Sequence, residues 1–149
     1  MEQVDEGRVR ILVVEDNPLD VELLRMALDS AQLQYELTVI EDGAEALDLI
    51  REQANLPNGF PDLAVLDLNL PKNDGLEVLK ALRACGNLRK VPVAIMSSSS
   101  SARDRGKLEE FGVGRYITKP SDLDEFLRIG NILKELLAES KSQGKSSGA

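Results

Sequence analysis

The chain has 149 residues, of which 42% are hydrophobic and 30% charged, values typical of one soluble globular domain with a single core. Its formal net charge of -8 argues against direct nucleic-acid binding, because that binding needs clustered lysine and arginine. It contains no histidine, which excludes Ser-His-Asp and Cys-His nucleophilic chemistry and removes the commonest metal ligand.

Nothing in the sequence indicates a membrane or secreted protein. The N-terminal sequence MEQVDEGRVR is acidic and polar, unlike a signal peptide, and no apolar run approaches the length of a membrane span. We therefore expect a cytoplasmic protein without membrane contact. The one cysteine, Cys85, has no disulfide partner and no neighbouring zinc ligands, so we expect an exposed or half-buried free thiol.

Short apolar runs alternate along the chain with segments of helical period, the pattern of a parallel α/β sheet. The apolar runs predict strands at residues 9–14, 35–40, 63–66, 93–96 and 116–117. The amphipathic segments predict helices from about residue 18, at 44–53, after Gly75, at 102–111 and at 123–138. We thus predict a doubly wound (βα)5 domain at 8–138, after an N-terminal segment at 1–7 and before a disordered tail at 139–149.

Polar side chains follow several of the predicted strands. Glu15 and Asp16 follow the first strand, Asp67 and Asn69 the third, Ser97 the fourth, and Lys119-Pro120 the fifth. Ligands bind open parallel sheets at the carboxyl ends of their strands, where these side chains would meet. The sequence therefore predicts three carboxylates, a hydroxyl and an ammonium around one rim.

Such a rim suits a hard divalent cation, because crowded carboxylates raise one another's pKa unless a cation offsets them. Mg²⁺ prefers oxygen ligands, so Glu15, Asp16, Asp67 and a main-chain carbonyl after Asp67 would suit it. An aspartate beside Mg²⁺, a lysine and a serine hydroxyl can accept a phosphoryl group as an acyl phosphate. The chain has no GxxxxGK[ST] loop, so we expect another molecule to donate that group.

Over residues 8–138 the sequence resembles the receiver domains of two-component response regulators. The matching features are Glu15-Asp16, Asp67 within LDLNLPKNDG, Ser97 after PVAIM, Tyr116 and Lys119-Pro120. The resemblance implies a flavodoxin-like sheet in the order 2-1-3-4-5. It implies Asp67 as the phosphoacceptor and Mg²⁺ held by Glu15, Asp16, Asp67 and the Asn69 main-chain carbonyl. It also implies that Ser97 and Lys119 contact the phosphoryl group and that the Lys119-Pro120 peptide bond is cis.

The same resemblance implies the partners. A histidine kinase or histidine phosphotransfer protein would donate the phosphoryl group, and a chain without histidine fits an acceptor rather than a donor. Phosphorylation would draw Ser97 inward and move Tyr116, altering the face between the fourth and fifth predicted helices, where receivers also dimerise. The stretch LDLNLPKNDGLEVL and the long loop before it resemble stand-alone regulators paired with phytochrome kinases.

Simpler interpretations stand beside these. Glu15-Asp16 could be a turn and helix cap, Lys119 a surface residue in a turn, and Tyr116 a half-buried aromatic residue. Two other functions also stay open, a pseudo-receiver that is never phosphorylated and a phosphatase with an aspartyl nucleophile. Such phosphatases typically carry a second acid two residues after the nucleophile, where this chain has Asn69. We expect a signalling protein rather than an enzyme.

Overall fold

The computed structural model describes residues 8–54, 56, 60–70, 74–98, 106 and 108–148. Within them, the strands are β1 Val9–Val14, β2 Tyr35–Ile40, β3 Leu63–Asp67, β4 Val93–Ser97 and β5 Arg115–Thr118. The α-helices are α1 Pro18–Ser30, α2 Gly43–Gln53, α3 Asp74–Ala84, α4 Leu123–Leu127 and α5 Ile129–Gly148. A 3₁₀ helix that the sequence did not predict covers Gly86–Lys90. No helix of the described part is long and apolar enough to cross a membrane.

The strands form one parallel sheet in the order β2-β1-β3-β4-β5, as predicted. The strand order reverses between β1 and β3, whose last aligned residues are Val14 and Leu66. Side chains that follow these two strands therefore emerge next to each other at the carboxyl edge, the usual ligand site of such sheets.

Both faces of the sheet are covered by helices. Val9, Ile11 and Val13 of β1 pack on one face with residues of α1, α4 and α5, while Leu12 and Val14 pack on the other with α2 and α3. This alternation follows from the period of two in a strand. Every residue of β3 and of β4 is buried, so a polar side chain at the end of either strand is shielded on both sides.

Helices α1 and α5 pack closely because one contact residue is glycine. A Cβ on Gly130 would lie 2.0 Å from the main-chain oxygen of Ala27, a distance that no side chain tolerates. Lys134 of α5 donates a hydrogen bond of 3.0 Å to the main-chain oxygen of Ala31, just after α1 ends. These contacts fix α1, whose first turn borders the carboxyl edge of the sheet.

The C-terminal part of the chain differs from the prediction. The segment predicted as one helix at 123–138 is divided at Arg128, and α5 then continues to Gly148. In the structure residues 139–148 are helical, while the disorder expected for the tail at 139–149 stays a prediction. The physical reason for the longer helix is that extending an existing helix requires no new nucleation, and this tail contains no proline.

Other predictions fall partly outside the described residues. These are the N-terminal segment at 1–7, most of the loop at 55–61, and the fourth predicted helix at 102–111 with its dimer face. Of that helix, Gly106, Leu108 and Glu109 are helical. Cys85 is a half-buried free thiol, as predicted.

Candidate functional site

Three carboxylates meet at the carboxyl edge of the sheet, where the sequence predicted them. Glu15 and Asp16 directly follow β1, and Asp67 is the last residue of β3. One oxygen of each lies within 4.8 Å of the others. Glu15 and Asp67 are buried, whereas Asp16 is exposed. The arrangement thus joins two shielded charges to one that faces solvent.

The interpretation of Glu15-Asp16 as a helix cap is wrong, because the cap of α1 is the next residue. Asn17 Oδ1 accepts a hydrogen bond of 3.0 Å from the Leu19 amide, and Pro18 occupies the first helical position, where a missing N–H costs nothing. The Asn17 amide in turn donates a hydrogen bond of 3.1 Å to Glu15 Oε2. Glu15 is therefore oriented by the backbone of this turn.

Lys119 follows β5 and reaches across the edge to the carboxylates. Its Nζ donates hydrogen bonds to Asp20 Oδ2 at 2.8 Å and to Glu15 Oε1 at 2.9 Å, and it lies 3.5 Å from Asp67 Oδ2. Only 13% of the Lys119 side chain is exposed, so the interpretation as a surface residue in a turn is wrong. The Lys119 amide also donates to the Ser97 main-chain oxygen at 2.7 Å.

The charges of the site perturb one another. Burial and a hydrogen bond with Asp67 raise the pKa of Glu15, Lys119 opposes both effects, and the resulting pKa is about 7. Burial lowers the pKa of Lys119, but its hydrogen bonds to Asp20 and Glu15 outweigh burial, so this pKa lies above its ordinary value. Lys119 is therefore a permanent cation, whereas the charge of Glu15 depends on what else is bound.

Asn69 joins the ends of β3 and β4. Its amide donates a hydrogen bond of 2.8 Å to Asp67 Oδ1. Its side-chain oxygen accepts hydrogen bonds from Ser97 Oγ at 3.3 Å, from the Ser98 amide at 2.8 Å and from Ser98 Oγ at 3.1 Å. The buried Ser97 hydroxyl is thus held next to the loop that carries Asp67.

Comparison with known proteins gives a consistent result. The response regulator receiver domain family matches residues 11–130. The response regulator Rcp1 of Synechocystis sp. is 33% identical over 120 residues, which cover 80% of this chain and 82% of Rcp1. The chain belongs to the response regulator receiver domain family.

Solved structures agree with this family. The phosphorylated cyanobacterial phytochrome response regulator RcpA is 34% identical, with a TM-score of 0.75 over 88% of this chain and 94% of that one. The Mn²⁺-bound form of Rcp1 is 33% identical, with a TM-score of 0.70 over 82% and 88% of the two chains. The present chain is accordingly a receiver of two-component signalling with phytochrome-associated relatives.

The resemblance to receivers also gave expectations for the Lys119-Pro120 peptide bond and for Tyr116. The Lys119-Pro120 peptide bond is trans, so the cis bond implied by the resemblance is wrong. The trans form is the lower in energy for an X-Pro bond, by about 0.5–1 kcal/mol. Tyr116, in β5, is half-buried and packs against the core on the α2 and α3 face, and its role as a switch residue stays a prediction.

The donor atoms of the receiver site suit a hard cation. Glu15, Asp16 and Asp67 offer carboxylate oxygens, which Mg²⁺ and Mn²⁺ both accept. Asp16 is open to solvent, so a cation here would keep bound waters, as Mg²⁺ prefers. The residues present therefore fit the ion, while the Asn69 main-chain carbonyl as a further ligand stays a prediction.

Sequence reasoning missed two residues of this receiver site. Asp20, in the first turn of α1, contacts Lys119, and the only sequence signal was an acid in the turn after the acidic pair. Gly75 was predicted to precede the third helix, but it lies inside α3 and is buried. A Cβ there would lie 2.6 Å from the Asp67 main-chain oxygen, so glycine lets α3 approach the loop after β3.

Proposed function

We propose that this receiver accepts a phosphoryl group on Asp67 from a phosphohistidine of a partner kinase or phosphotransfer protein, in a reaction that depends on Mg²⁺. The observation that carries the proposal is the position of Asp67. Its carboxylate ends a buried strand, within 3.5 Å of the Lys119 ammonium and beside the carboxylates of Glu15 and Asp16. Burial of an unpaired aspartate charge would cost free energy of folding. Burial beside a cation is instead expected for a carboxylate that acts as a nucleophile.

The reaction needs little from the protein beyond position and charge. An Asp67 carboxylate oxygen attacks the phosphorus, the bond from phosphorus to the histidine nitrogen breaks, and the imidazole leaves with the bonding electron pair. A new oxygen–phosphorus bond makes an acyl phosphate. Lys119 neutralises charge on the transferred group. The buried Ser97 hydroxyl donates a hydrogen bond to Asn69 in the loop after β3, and from there it would turn towards the transferred group.

A divalent cation would be held by Glu15, Asp16 and Asp67, with the Asn69 main-chain carbonyl as a further ligand. When bound, it supplies positive charge that offsets the phosphoryl oxygens. The raised pKa of Glu15 is consistent with this, because burial and the neighbouring Asp67 cause it and a bound cation would oppose both. The same metal-dependent site would support slow hydrolysis of the receiver's own acyl phosphate.

The donor would be a phytochrome-type histidine kinase. This rests on the relatives, since RcpA is described as a phytochrome response regulator. The phosphorylated receiver would then pass its signal on by protein contact or by phosphorelay, through movement of Ser97 and Tyr116 and of the face between the fourth and fifth predicted helices. A homodimer through that face belongs to the same proposal.

The phosphatase alternative has less support. Its second acid would lie two residues after Asp67, and Asn69 occupies that position with its side-chain oxygen engaged by Ser97 and Ser98. An amide cannot give a proton to a leaving group as an acid would.

The first test is phosphorylation by a small donor. We expect acetyl phosphate with Mg²⁺ to add one labile phosphoryl group, seen by intact mass, and chelation of the metal to prevent it. Asp67→Asn should abolish the modification. Asp48→Asn, the same change at an exposed carboxylate of α2, should leave it unchanged.

Absence of modification in the wild-type chain, together with no Mg²⁺-dependent binding of beryllofluoride, would instead establish a pseudo-receiver. Modification that persists in Asp67→Asn would place the acceptor elsewhere. If acetyl phosphate works, the same assay with a phosphorylated phytochrome-type kinase tests the proposed donor.

A further inference from the structure

The Lys119 ammonium is held by a carboxylate that receives no role in the proposed phosphotransfer. Asp20 Oδ2 accepts its shortest hydrogen bond, at 2.8 Å, compared with 2.9 Å for Glu15 and 3.5 Å for Asp67. A distance of 3.5 Å exceeds the usual range for an N–H···O hydrogen bond. In this structure the cation therefore belongs more to Asp20 and Glu15 than to the acceptor.

Asp20 differs from an ordinary surface partner in two ways. Its side chain is 18% exposed and that of Lys119 13%, so water screens the pair poorly and the contact is stronger than an exposed ion pair. Asp20 is also fixed in place, because it lies in the first turn of α1, next to the Asn17 cap. A carboxylate there is further favoured by the positive end of the helix dipole.

The two partners also differ in mobility. The Asp20 side chain is short and its backbone is helical, whereas Lys119 follows a strand and carries a flexible four-carbon stem. A change in pairing at this site would therefore move the ammonium and leave the carboxylate in place.

We propose that Asp20 is a positioning residue that draws Lys119 away from Asp67 in the resting receiver, and so limits the stability of the phosphorylated state. A phosphoryl group on Asp67 must replace Asp20 as a partner of the Lys119 ammonium, and the strength of the Asp20–Lys119 contact opposes this replacement. This inference rests on the proposed function, because it assumes that Asp67 is the acceptor.

The inference makes a quantitative prediction. Asp20→Asn keeps the shape of the side chain but removes its charge, so Glu15 is then the one carboxylate hydrogen-bonded to the ammonium in competition with a group on Asp67. We expect beryllofluoride, with Mg²⁺ at a fixed concentration, to bind Asp20→Asn about tenfold more tightly than wild type, as expected for one charged hydrogen bond. The acyl phosphate formed from acetyl phosphate should also last longer. Asp20→Glu, which keeps the charge, should bind beryllofluoride nearly as wild type does.

A matched control separates this effect from a general change of charge on α1. Glu22→Gln also removes one negative charge from that helix, but Glu22 is exposed and pairs with Arg25 at 3.5 Å. We expect its beryllofluoride affinity to equal that of wild type. Thermal unfolding of each variant checks that the fold is kept.

A double-mutant cycle then tests whether Asp20 acts through Lys119. In a Lys119→Gln background, Asp20→Asn should change the affinity for beryllofluoride far less than it does in the wild-type background. An equal change in both backgrounds would show a general electrostatic effect and overturn the inference.

The remaining outcomes are also decisive. If the wild-type chain binds no beryllofluoride, the proposed function fails and this inference fails with it. If wild type binds the analogue and a folded Asp20→Asn binds it equally or less tightly, the proposed function stands and the role of Asp20 is refuted.

Discussion

Two cations of this receiver lie at opposite edges of the sheet, each partly shielded from water, and they are held in different ways. Lys119, at the carboxyl edge, contacts the carboxylates of Asp20, Glu15 and Asp67. Arg83, in the last turn of α3, lies at the amino edge and donates hydrogen bonds to main-chain oxygens. These acceptors belong to Phe111, Arg89, Val91 and Gly112.

The difference in partners separates a structural contact from one that can change. Main-chain carbonyls have fixed positions and no alternative charge state, so Arg83 joins the end of α3 to the segments before β4 and β5 in one arrangement. Burial lowers the pKa of Arg83, and no contact described for it reverses that effect. Lys119, by contrast, has three anionic partners, at 2.8, 2.9 and 3.5 Å, and an added anion can redistribute its hydrogen bonds against the opposing contact with Asp20.

The largest effect on stability is expected from Arg83→Met. Loss of the guanidinium removes the donor to four main-chain carbonyls, two of them in part-buried hydrogen bonds, and we expect the free energy of unfolding to fall by about 3 kcal/mol in urea titrations. Phosphorylation of Asp67 should be retained under conditions where the variant is folded. Arg51→Met removes an exposed arginine of α2 and should leave stability nearly unchanged. A stable Arg83→Met that fails to accept phosphate would erase the contrast between the two cations.

Among substitutions of the cationic residues, Lys119→Met should weaken binding of the phosphoryl analogue most. Without the ammonium, the carboxylates alone face an incoming anion, and we expect beryllofluoride affinity, measured by calorimetry with Mg²⁺, to fall about a hundredfold. The matched control is Lys134→Met, since Lys134 contacts only a main-chain oxygen after α1 in the described structure. Unchanged affinity in Lys119→Met would mean that this lysine is structural, as Arg83 is.

The contrast also shows what the sequence could and could not predict. All five strands, the sheet order and the meeting of Glu15, Asp16, Asp67 and Lys119 were predicted. Their apolar runs fix the strands, and parallel strands bring their carboxyl ends to one edge. Strand β5 was predicted as two residues and has four, because its pairing with β4 rather than its own composition sets its length.

The contacts of long side chains were not predictable in the same way. Asp20 is 99 residues from Lys119, and Arg83 is 28 residues from Phe111. Each pairing therefore depends on the side-chain rotamer that the folded structure imposes, which the sequence does not show. In the sequence, Arg83 appears as an ordinary basic residue near the end of a helix. Gly75 appears as the residue before a helix, because its contact with the Asp67 main chain arises only when α3 packs against β3.

The smallest expected effect is on the pH dependence of stability, which the carboxyl group of Glu15 beside Lys119 determines. The pKa of Glu15 is raised by burial and by Asp67 to about 7, from an ordinary value of 4.5. Between these values the folded state binds more protons than the unfolded state, so the free energy of unfolding falls as pH rises. In metal-free protein we expect a fall of about 2 kcal/mol between pH values of about 5 and about 7, measured by urea titration in a chelating buffer.

Glu15→Gln imitates the protonated carboxyl and should remove most of this fall, leaving the variant more stable than wild type above a pH of about 7. Glu22→Gln, at an exposed carboxylate of α1, should keep the wild-type slope, and so should Arg83→Met, whose described acceptors are main-chain oxygens. Mg²⁺ should reduce the fall in wild type, because it favours the ionised form of Glu15. An identical slope in wild type and Glu15→Gln would show that Lys119 already balances the carboxylates. Lys119 would then be a fixed structural partner of the carboxylates, and it would not differ from Arg83 in the way it is held.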